Sequence, residues 1–118
     1  MSNLKQLDDD LNQMILTGKA LDGFEKYYAD HCVMQENTDE PTVGKDANRQ
    51  REIDFFDSVA ELHDAKIVSS GIGDGVTFAE WILDVTFKQG GRKKLEQTAV
   101  RKWEGDQIVH ERFYYNAG

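Results

Sequence analysis

The spacing of apolar residues changes at Asp64, and this change constrains the fold more than any other feature of the sequence. Before Asp64, apolar residues recur every three or four positions, which is the period of an amphipathic helix. After Asp64 they alternate with polar residues, which is the period of a half-buried strand. Within residues 76–88, for example, Trp81 and Val85 lie on an apolar face and Glu80 lies on a mixed one. The pattern therefore predicts helices first and a sheet second.

Glycine-containing turns divide both halves into elements. The spacing predicts helices over residues 4–18, 20–29 and 45–62, with a short strand over residues 31–36. Ser2 is the predicted N-cap of the first helix. The later strands are predicted over residues 65–70, 76–88, 92–103 and 107–115. Their connections are short, so the strands should pair as antiparallel hairpins.

The length and the long strands together define the expected architecture. A chain of 118 residues makes one domain. Strands longer than the usual five or six residues twist and coil, so this sheet should wrap around the helices. We predict an α+β fold of order ααβαββββ, a single domain over residues 1–118. Its three N-terminal helices pack in the concavity of a strongly curved, mainly antiparallel sheet.

Charge and composition exclude several function classes. The net charge is −8, with 15 acidic and 6 basic residues in positions 1–64 against 7 and 8 in positions 65–118. A negative chain repels phosphate groups, which argues against binding to nucleic acid or to an anionic membrane surface. No apolar run approaches the roughly 20 residues of a membrane span, and residues 1–10 have no secretory leader. The single cysteine, Cys32, forms no internal disulfide. We expect a cytoplasmic protein.

Two stretches carry a family resemblance that spans the chain. Residues 27–37 (YYADHCVMQEN), followed by Gly44, are similar to the "YA-D-…-V…E-(D/N)…G" stretch of the nuclear-transport-factor-2-like superfamily. Residues 103–115 (WEGDQIVHERFYY) are similar to the "W-x-D-G-x-I-…-E-x-x-x-Y" ending of its SnoaL-like branch. The resemblance implies a conical α+β fold with a pocket at the open end. Members include ketosteroid isomerase, polyketide cyclases, epoxide hydrolases and transport factors, so fold does not determine function.

The resemblance also identifies positions where family members place acid–base groups. The position of the isomerase base is Asn37 here, and an amide does not abstract a proton at neutral pH. A one-residue shift in register would place Glu36 there instead. The position of the cyclase aspartate is Phe113. These departures argue against isomerase and cyclase activity but not against binding.

Glu111 is the other candidate acid–base residue. It should share a strand face with Phe113 and Tyr115, and on a concave face its pKa would rise by desolvation. The alternative is that Glu111 pairs with Arg101 or Arg112 on a solvated surface or an interface.

A pocket in the cone would be lined by polar and aromatic side chains. The polar candidates are Gln35, Asn37 and Gln97, and the aromatic candidates are Tyr27, Phe55, Phe56, Trp81, Trp103, Phe113 and Tyr115. For each aromatic residue, packing in the core is the alternative. The three histidines lie in different elements without metal-ligand spacing, so we predict no metal site and no cofactor.

The sequence thus favours a small-molecule-binding SnoaL-like domain with an apolar pocket that takes an apolar or aromatic ligand. We also expect a homodimer that forms through the outer sheet face. Residues predicted on that face include Ile82, Thr86, Thr98, Val100, Ile108 and Tyr114. One alternative is an enzyme, an isomerase, cyclase or hydrolase that acts on an apolar ring compound with Glu111 or Glu36 as acid–base. The other is a non-catalytic protein-interaction module.

Overall fold

The computed structural model describes residues 3–117, which form three helices and one six-stranded sheet. The helices are α1 (Leu4–Leu16), α2 (Ala20–Tyr27) and α3 (Lys45–Ser58). The strands are β1 (Tyr28–Glu36), β2 (Thr42–Val43), β3 (Val59–Gly73), β4 (Val76–Phe87), β5 (Gly91–Glu104) and β6 (Gln107–Tyr115). None of these helices is long and apolar enough to cross a membrane.

The strands lie in the order β2-β1-β6-β5-β4-β3. The β1–β6 pair is parallel and the other pairs are antiparallel, so the sheet is mainly antiparallel, as predicted. On β4 the odd-numbered residues Trp81 and Val85 are buried, whereas Glu80 is exposed. The curved sheet and its helices confirm the predicted α+β cone.

Two groups of buried side chains fill the space between the helices and the sheet. The larger joins α1 and α2 to β1, β5 and β6 and contains Leu11, Phe24, Tyr27, Tyr28, Cys32, Met34, Trp103 and Ile108. The smaller lies on β4 and β5 and contains Ala79, Trp81 and Ala99. Cys32 is a buried free thiol, as expected of a small apolar residue in a core.

The boundary between α3 and β3 differs most from the prediction. The helix was predicted to reach residue 62, but it ends at Ser58, and β3 runs for 15 residues from Val59. The β-branched Val59 pairs with Phe87 on β4, so sheet pairing overrides the helical spacing of the apolar residues. In the same way, β1 begins at Tyr28 and shortens α2, and the short β2 was not predicted.

Two smaller predictions concern the N-cap of α1 and the outer face of the sheet. Ser2 lies outside the described residues, and the N-cap of α1 is Asn3, whose side chain accepts a hydrogen bond from the Gln6 backbone N–H at 3.2 Å. Ile108 was predicted on the outer sheet face, which is wrong. A β-bulge between Lys102 and Trp103 changes the register, so Ile108 pairs with Trp103 and is fully buried.

Asn48 is the buried polar residue that anchors the start of α3. Its side-chain amide lies 3.0 Å from the Thr42 carbonyl oxygen and 2.9 Å from that of Gly44. We expect Asn48→Ala to lower the free energy of unfolding by about 2 kcal/mol, because these buried carbonyls lose their donor. Urea denaturation measures the change. The control is Gln50→Ala on the exposed face of α3, and equal losses in both variants would contradict the prediction.

Candidate functional site

A network of buried polar side chains crosses the concave side of the sheet, with Arg101 at its centre. The Arg101 guanidinium donates from Nε to Glu111 Oε2 at 2.7 Å. Its Nη1 donates to Asp8 Oδ1 at 2.8 Å and to Asn12 Oδ1 at 2.6 Å. The Tyr28 hydroxyl donates to Glu111 Oε1 at 2.6 Å. One arginine therefore bridges the carboxylates of α1 and β6, and the two acidic charges exceed its single positive charge.

The network extends from Asp8 on α1 to Thr77 on β4 and Trp103 on β5. Thr77 Oγ1 donates to Asp8 Oδ1 at 2.8 Å and accepts a hydrogen bond from Trp103 Nε1 at 2.8 Å. A cleft of about 310 Å³ opens beside Asp8, between α1 and β3. It is lined by Lys5, Asp8, Asp9, Ser70, Gly71 and Ile72, none of which the sequence predicted as a pocket residue.

Glu111 faces the interior, so the two possibilities left open by the sequence are both partly right. Its side chain is buried on the concave face, and it pairs with Arg101 there rather than on a surface. Both carboxylate oxygens accept hydrogen bonds. Burial, and then the charge of Glu111, raise the pKa of Tyr28 well above its usual value, so this hydroxyl remains a donor. Each Glu111 oxygen therefore already accepts a hydrogen bond from within the fold.

Glu36 is also fully hydrogen bonded, but nearer the surface. Its Oε1 accepts from the Tyr115 hydroxyl at 3.0 Å, and its Oε2 accepts from Arg51 Nη2 at 2.8 Å. Burial, and then the hydrogen bond to Glu36, raise the pKa of Tyr115. Glu36, Arg51 and Tyr115 thus form a partly exposed polar group at the end of β1 and β6.

Glu52 is the carboxyl group that the sequence analysis missed. It lies half-buried on α3, and no residue between 3 and 117 donates a hydrogen bond to it. Burial, and next the negative charge of Glu111, raise the pKa of Glu52 from 4.5 to about 7. The positive charge of Arg51 opposes this rise, and the negative charge of Glu36 contributes to it. Near neutral pH, this carboxyl can therefore either donate or accept a proton.

Two aromatic residues lie next to Glu52 in helical spacing. Phe55 and Phe56 follow it by three and four residues, so all three share one side of α3. The two rings remain 37% and 40% exposed, with their centroids 5.5 Å apart, and the Phe55 ring also contacts that of Phe87 on β4. This spacing was the signal available in the sequence.

The other predicted aromatic residues are packed in the core. Tyr27 and Trp103 meet edge to face at 5.9 Å in the larger buried group, and the Tyr27 hydroxyl donates to Asp10. Trp81 belongs to the smaller group, with Phe113 packed against it.

The three polar residues predicted to line a pocket have different contacts in the structure. Gln35 donates from Nε2 to the Asp39 carbonyl at 2.9 Å, across the turn after β1. Asn37 has a positive φ of 51° and uses its side-chain oxygen to accept from the Tyr115 backbone N–H at 2.9 Å. Gln97 lies on β5, in register with Trp81 and Tyr115. Gln35 and Asn37 therefore stabilise the turn after β1, and Asn37 and Gln97 both lie beside Tyr115.

This fold and its concave polar network define an α+β cone protein with helices packed into a curved sheet. The chain belongs to the SnoaL-like domain family, whose profile matches residues 4–115. No curated protein matches the chain. Among residues 3–117, no group of three or more His, Cys, Asp or Glu side chains is placed to hold a metal ion.

Solved structures share the fold over nearly the whole chain. A proposed SnoaL-like polyketide cyclase from Mesorhizobium loti, also given as a carbohydrate phosphatase, superposes with a TM-score of 0.85 at 23% identity, covering 97% of this chain and 100% of that one. An NTF2-like protein of unknown function from Burkholderia pseudomallei gives 0.83 at 15% identity, covering 98% and 92%. A proposed polyketide cyclase from Xanthomonas campestris gives 0.78 at 20% identity, covering 95% and 89%. At these identities the likeness establishes the fold alone.

Proposed function

We propose that this chain binds a small apolar or aromatic molecule on the concave side of the sheet, beside α3. The observation that carries the proposal is the half-buried Glu52 carboxyl without a hydrogen-bond partner between residues 3 and 117. Burial makes the charged form of this carboxyl costly unless a partner stabilises it. The exposed rings of Phe55 and Phe56 lie one helical turn away and supply the apolar contact that ligand sites use.

The protonation state of Glu52 narrows the chemistry of the ligand. Below about pH 7 the carboxyl is neutral and donates a hydrogen bond, so a carbonyl or hydroxyl oxygen suits it. An anionic ligand would meet the negative charges of Glu111 and Glu36, which also raise the pKa of Glu52. The ligand is therefore a neutral ring compound that carries a hydrogen-bond acceptor. The names of two structural neighbours, which are proposed polyketide cyclases, support a small organic ligand.

Proton transfer by Glu52 is the second candidate function. A carboxyl with a pKa near 7 suits general acid–base catalysis, and Glu52 has that value. Glu111 and Glu36, the acid–base residues expected from the sequence, instead have both oxygens engaged in hydrogen bonds. An isomerase, cyclase or hydrolase activity on the concave side of the sheet would therefore use Glu52.

A neutral fluorescent ketone, 6-propionyl-2-(dimethylamino)naphthalene, tests the binding proposal. We expect the wild-type protein to shift its emission to the blue and to bind it about tenfold more weakly above pH 8 than at about pH 6, because Glu52 loses its proton. Glu52→Gln, which keeps a donor, should remove the pH dependence, and Glu52→Ala should weaken binding at both pH values.

The matched control is Glu40→Gln, because Glu40 lies exposed in the turn after β1. It should bind the ketone with the wild-type pH dependence. Equal affinity in the wild type, Glu52→Gln and Glu52→Ala at every pH would refute the proposal and leave a protein-interaction module as the better account of the fold.

A further inference from the structure

A row of three hydrogen-bonded side chains lies on the outer face of the sheet, away from Glu52. His63 Nε2 lies 2.7 Å from Thr86 Oγ1, and His63 Nδ1 lies 3.0 Å from Glu61 Oε2. Thr86 follows the inward-facing Val85 on β4, so its own side chain lies on the outer face. β3 is an edge strand, and the side chains of His63 and Glu61 are 22% and 67% exposed. A small molecule in solution can therefore reach the row.

An irregularity in the strand pairing positions the histidine. Glu61 pairs directly with Thr86, and the register of β3 then shifts between Leu62 and Asp64, so His63 is the extra residue of β3. An extra residue of this kind changes the direction of a side chain, and such bulges are common next to active sites. His63 can therefore contact Thr86 although the two residues are not paired.

The two hydrogen bonds determine which nitrogen of His63 carries the proton. A carboxylate only accepts hydrogen bonds, so His63 Nδ1 is the donor to Glu61. In the neutral imidazole, Nε2 is then an acceptor, and the Thr86 hydroxyl donates to it. A hydroxyl that donates to a histidine held by a carboxylate is the arrangement that activates an oxygen nucleophile.

Arg92 supplies a positive charge beside the hydroxyl. It pairs with Thr86 from the other side of β4, so the two side chains share the outer face. Asp84 holds the guanidinium, which donates from Nε at 3.0 Å and from Nη2 at 2.9 Å. Its Nη1 donates to no residue between 3 and 117, so this group can stabilise an oxyanion that forms next to Thr86.

We propose that Thr86 and His63 catalyse acyl transfer from small carboxylic esters, with Thr86 as nucleophile, His63 as general base and Glu61 as the residue that positions His63. The carboxylates of Glu61 and Asp84 flank the site, so an uncharged ester suits it better than a phosphate anion does. The exposure of the site favours small esters. The proposal does not depend on the ligand site at Glu52, which uses the opposite side of the sheet.

The reaction would consume one ester and one water and release one acid and one alcohol. Thr86 Oγ1 attacks the carbonyl carbon while its proton passes to His63 Nε2, and the displaced electron pair on the carbonyl oxygen lies beside Arg92. The bond to the leaving oxygen then breaks, and His63 gives that oxygen the proton. Water attacks the acyl-threonine, with His63 again as base, and the acid leaves as the proton returns to Thr86.

Hydrolysis of p-nitrophenyl acetate by the full chain tests the proposal. Thr86→Val, which keeps the shape of the side chain, and His63→Gln should each lower kcat/KM at least about tenfold. Glu61→Gln should lower kcat and leave KM unchanged, because Glu61 contacts His63 and not the ester. Mass spectrometry after a rapid acid quench should find one acetyl group on Thr86 of the wild type.

Two matched controls separate this site from the general reactivity of surface groups. Thr98→Val changes a half-buried threonine on β5, and His31→Gln changes an exposed histidine on β1, so both should keep the wild-type rate. Circular dichroism checks that every variant is folded. A wild type no faster than folded Thr86→Val, an acetyl group found only on other residues, or equal losses in the control variants would each overturn the proposal.

Discussion

Replacing Arg101 with methionine is expected to lower the free energy of unfolding by about 3–5 kcal/mol at neutral pH. The guanidinium is 3% exposed and lies within 2.8 Å of carboxylate oxygens of both Asp8 and Glu111. Methionine keeps much of the apolar volume but leaves two buried carboxylates without their counter-charge.

Urea denaturation at neutral pH measures this effect, with Arg92→Met as the matched control. Arg92 also contacts a carboxylate, Asp84, at 2.9 Å, but its side chain is 62% exposed. Exposed ion pairs contribute about 0–1 kcal/mol, so Arg92→Met should change stability by no more than that. Comparable losses in the two variants would mean that the Arg101 network does not stabilise the fold.

The sheet could be predicted because its alternation is local and long. Residues 107–115 were predicted as a strand and form β6, and the predicted strand over residues 76–88 differs from β4 by one residue. Each strand carries its pattern in its own residues and is bounded by glycine turns. The start of β3 could not be predicted, because Val59 and Leu62 fit both a helical and an extended spacing. Pairing with β4 decides between them, and that pairing is not local.

The candidate site was predicted only as far as single strands could show it. The face of Glu111 and its possible pairing with Arg101 follow from adjacent strands, and both are found. The contributions of Asp8 and Asn12 come from α1, 93 and 89 residues from Arg101 in sequence, and no local pattern indicates them. Because these partners are so far away in the sequence, the buried network around Arg101 and Glu111 could not be predicted.

Glu52 shows how a charged residue on a helix can be overlooked as a candidate site residue. A helix rich in charged residues, such as α3, has no clear apolar stripe, so the sequence gives few indications of which side faces the sheet. In the structure, α3 places Glu52 near Glu111 and leaves Phe55 and Phe56 partly exposed. The side of α3 that carries Glu52 therefore also carries the two aromatic rings.

Glu52→Gln is expected to stabilise the protein at high pH and to leave it unchanged at low pH. The folded-state pKa of Glu52 is about 7, above the 4.5 of an unperturbed glutamate. Below about pH 4.5 the carboxyl is protonated in both states and contributes its full stability. As the pH rises from about 4.5 through 7, the unfolded chain loses this proton first, so stability falls. Allowing for partial exposure, the loss is about 2–3 kcal/mol at pH 8.

Paired urea titrations of the wild type and Glu52→Gln at about pH 4 and pH 8 isolate this contribution, because other titrating groups are common to both proteins. The variant should be more stable by about 2–3 kcal/mol only at the higher pH, whereas Glu40→Gln should match the wild type throughout. A difference that does not depend on pH would contradict the raised pKa. If the expected gain is observed, the native sequence keeps a carboxyl that destabilises its own fold. Residues of that kind are typical of binding and catalytic sites. A group that is kept free to contact a ligand there lowers the stability of the fold.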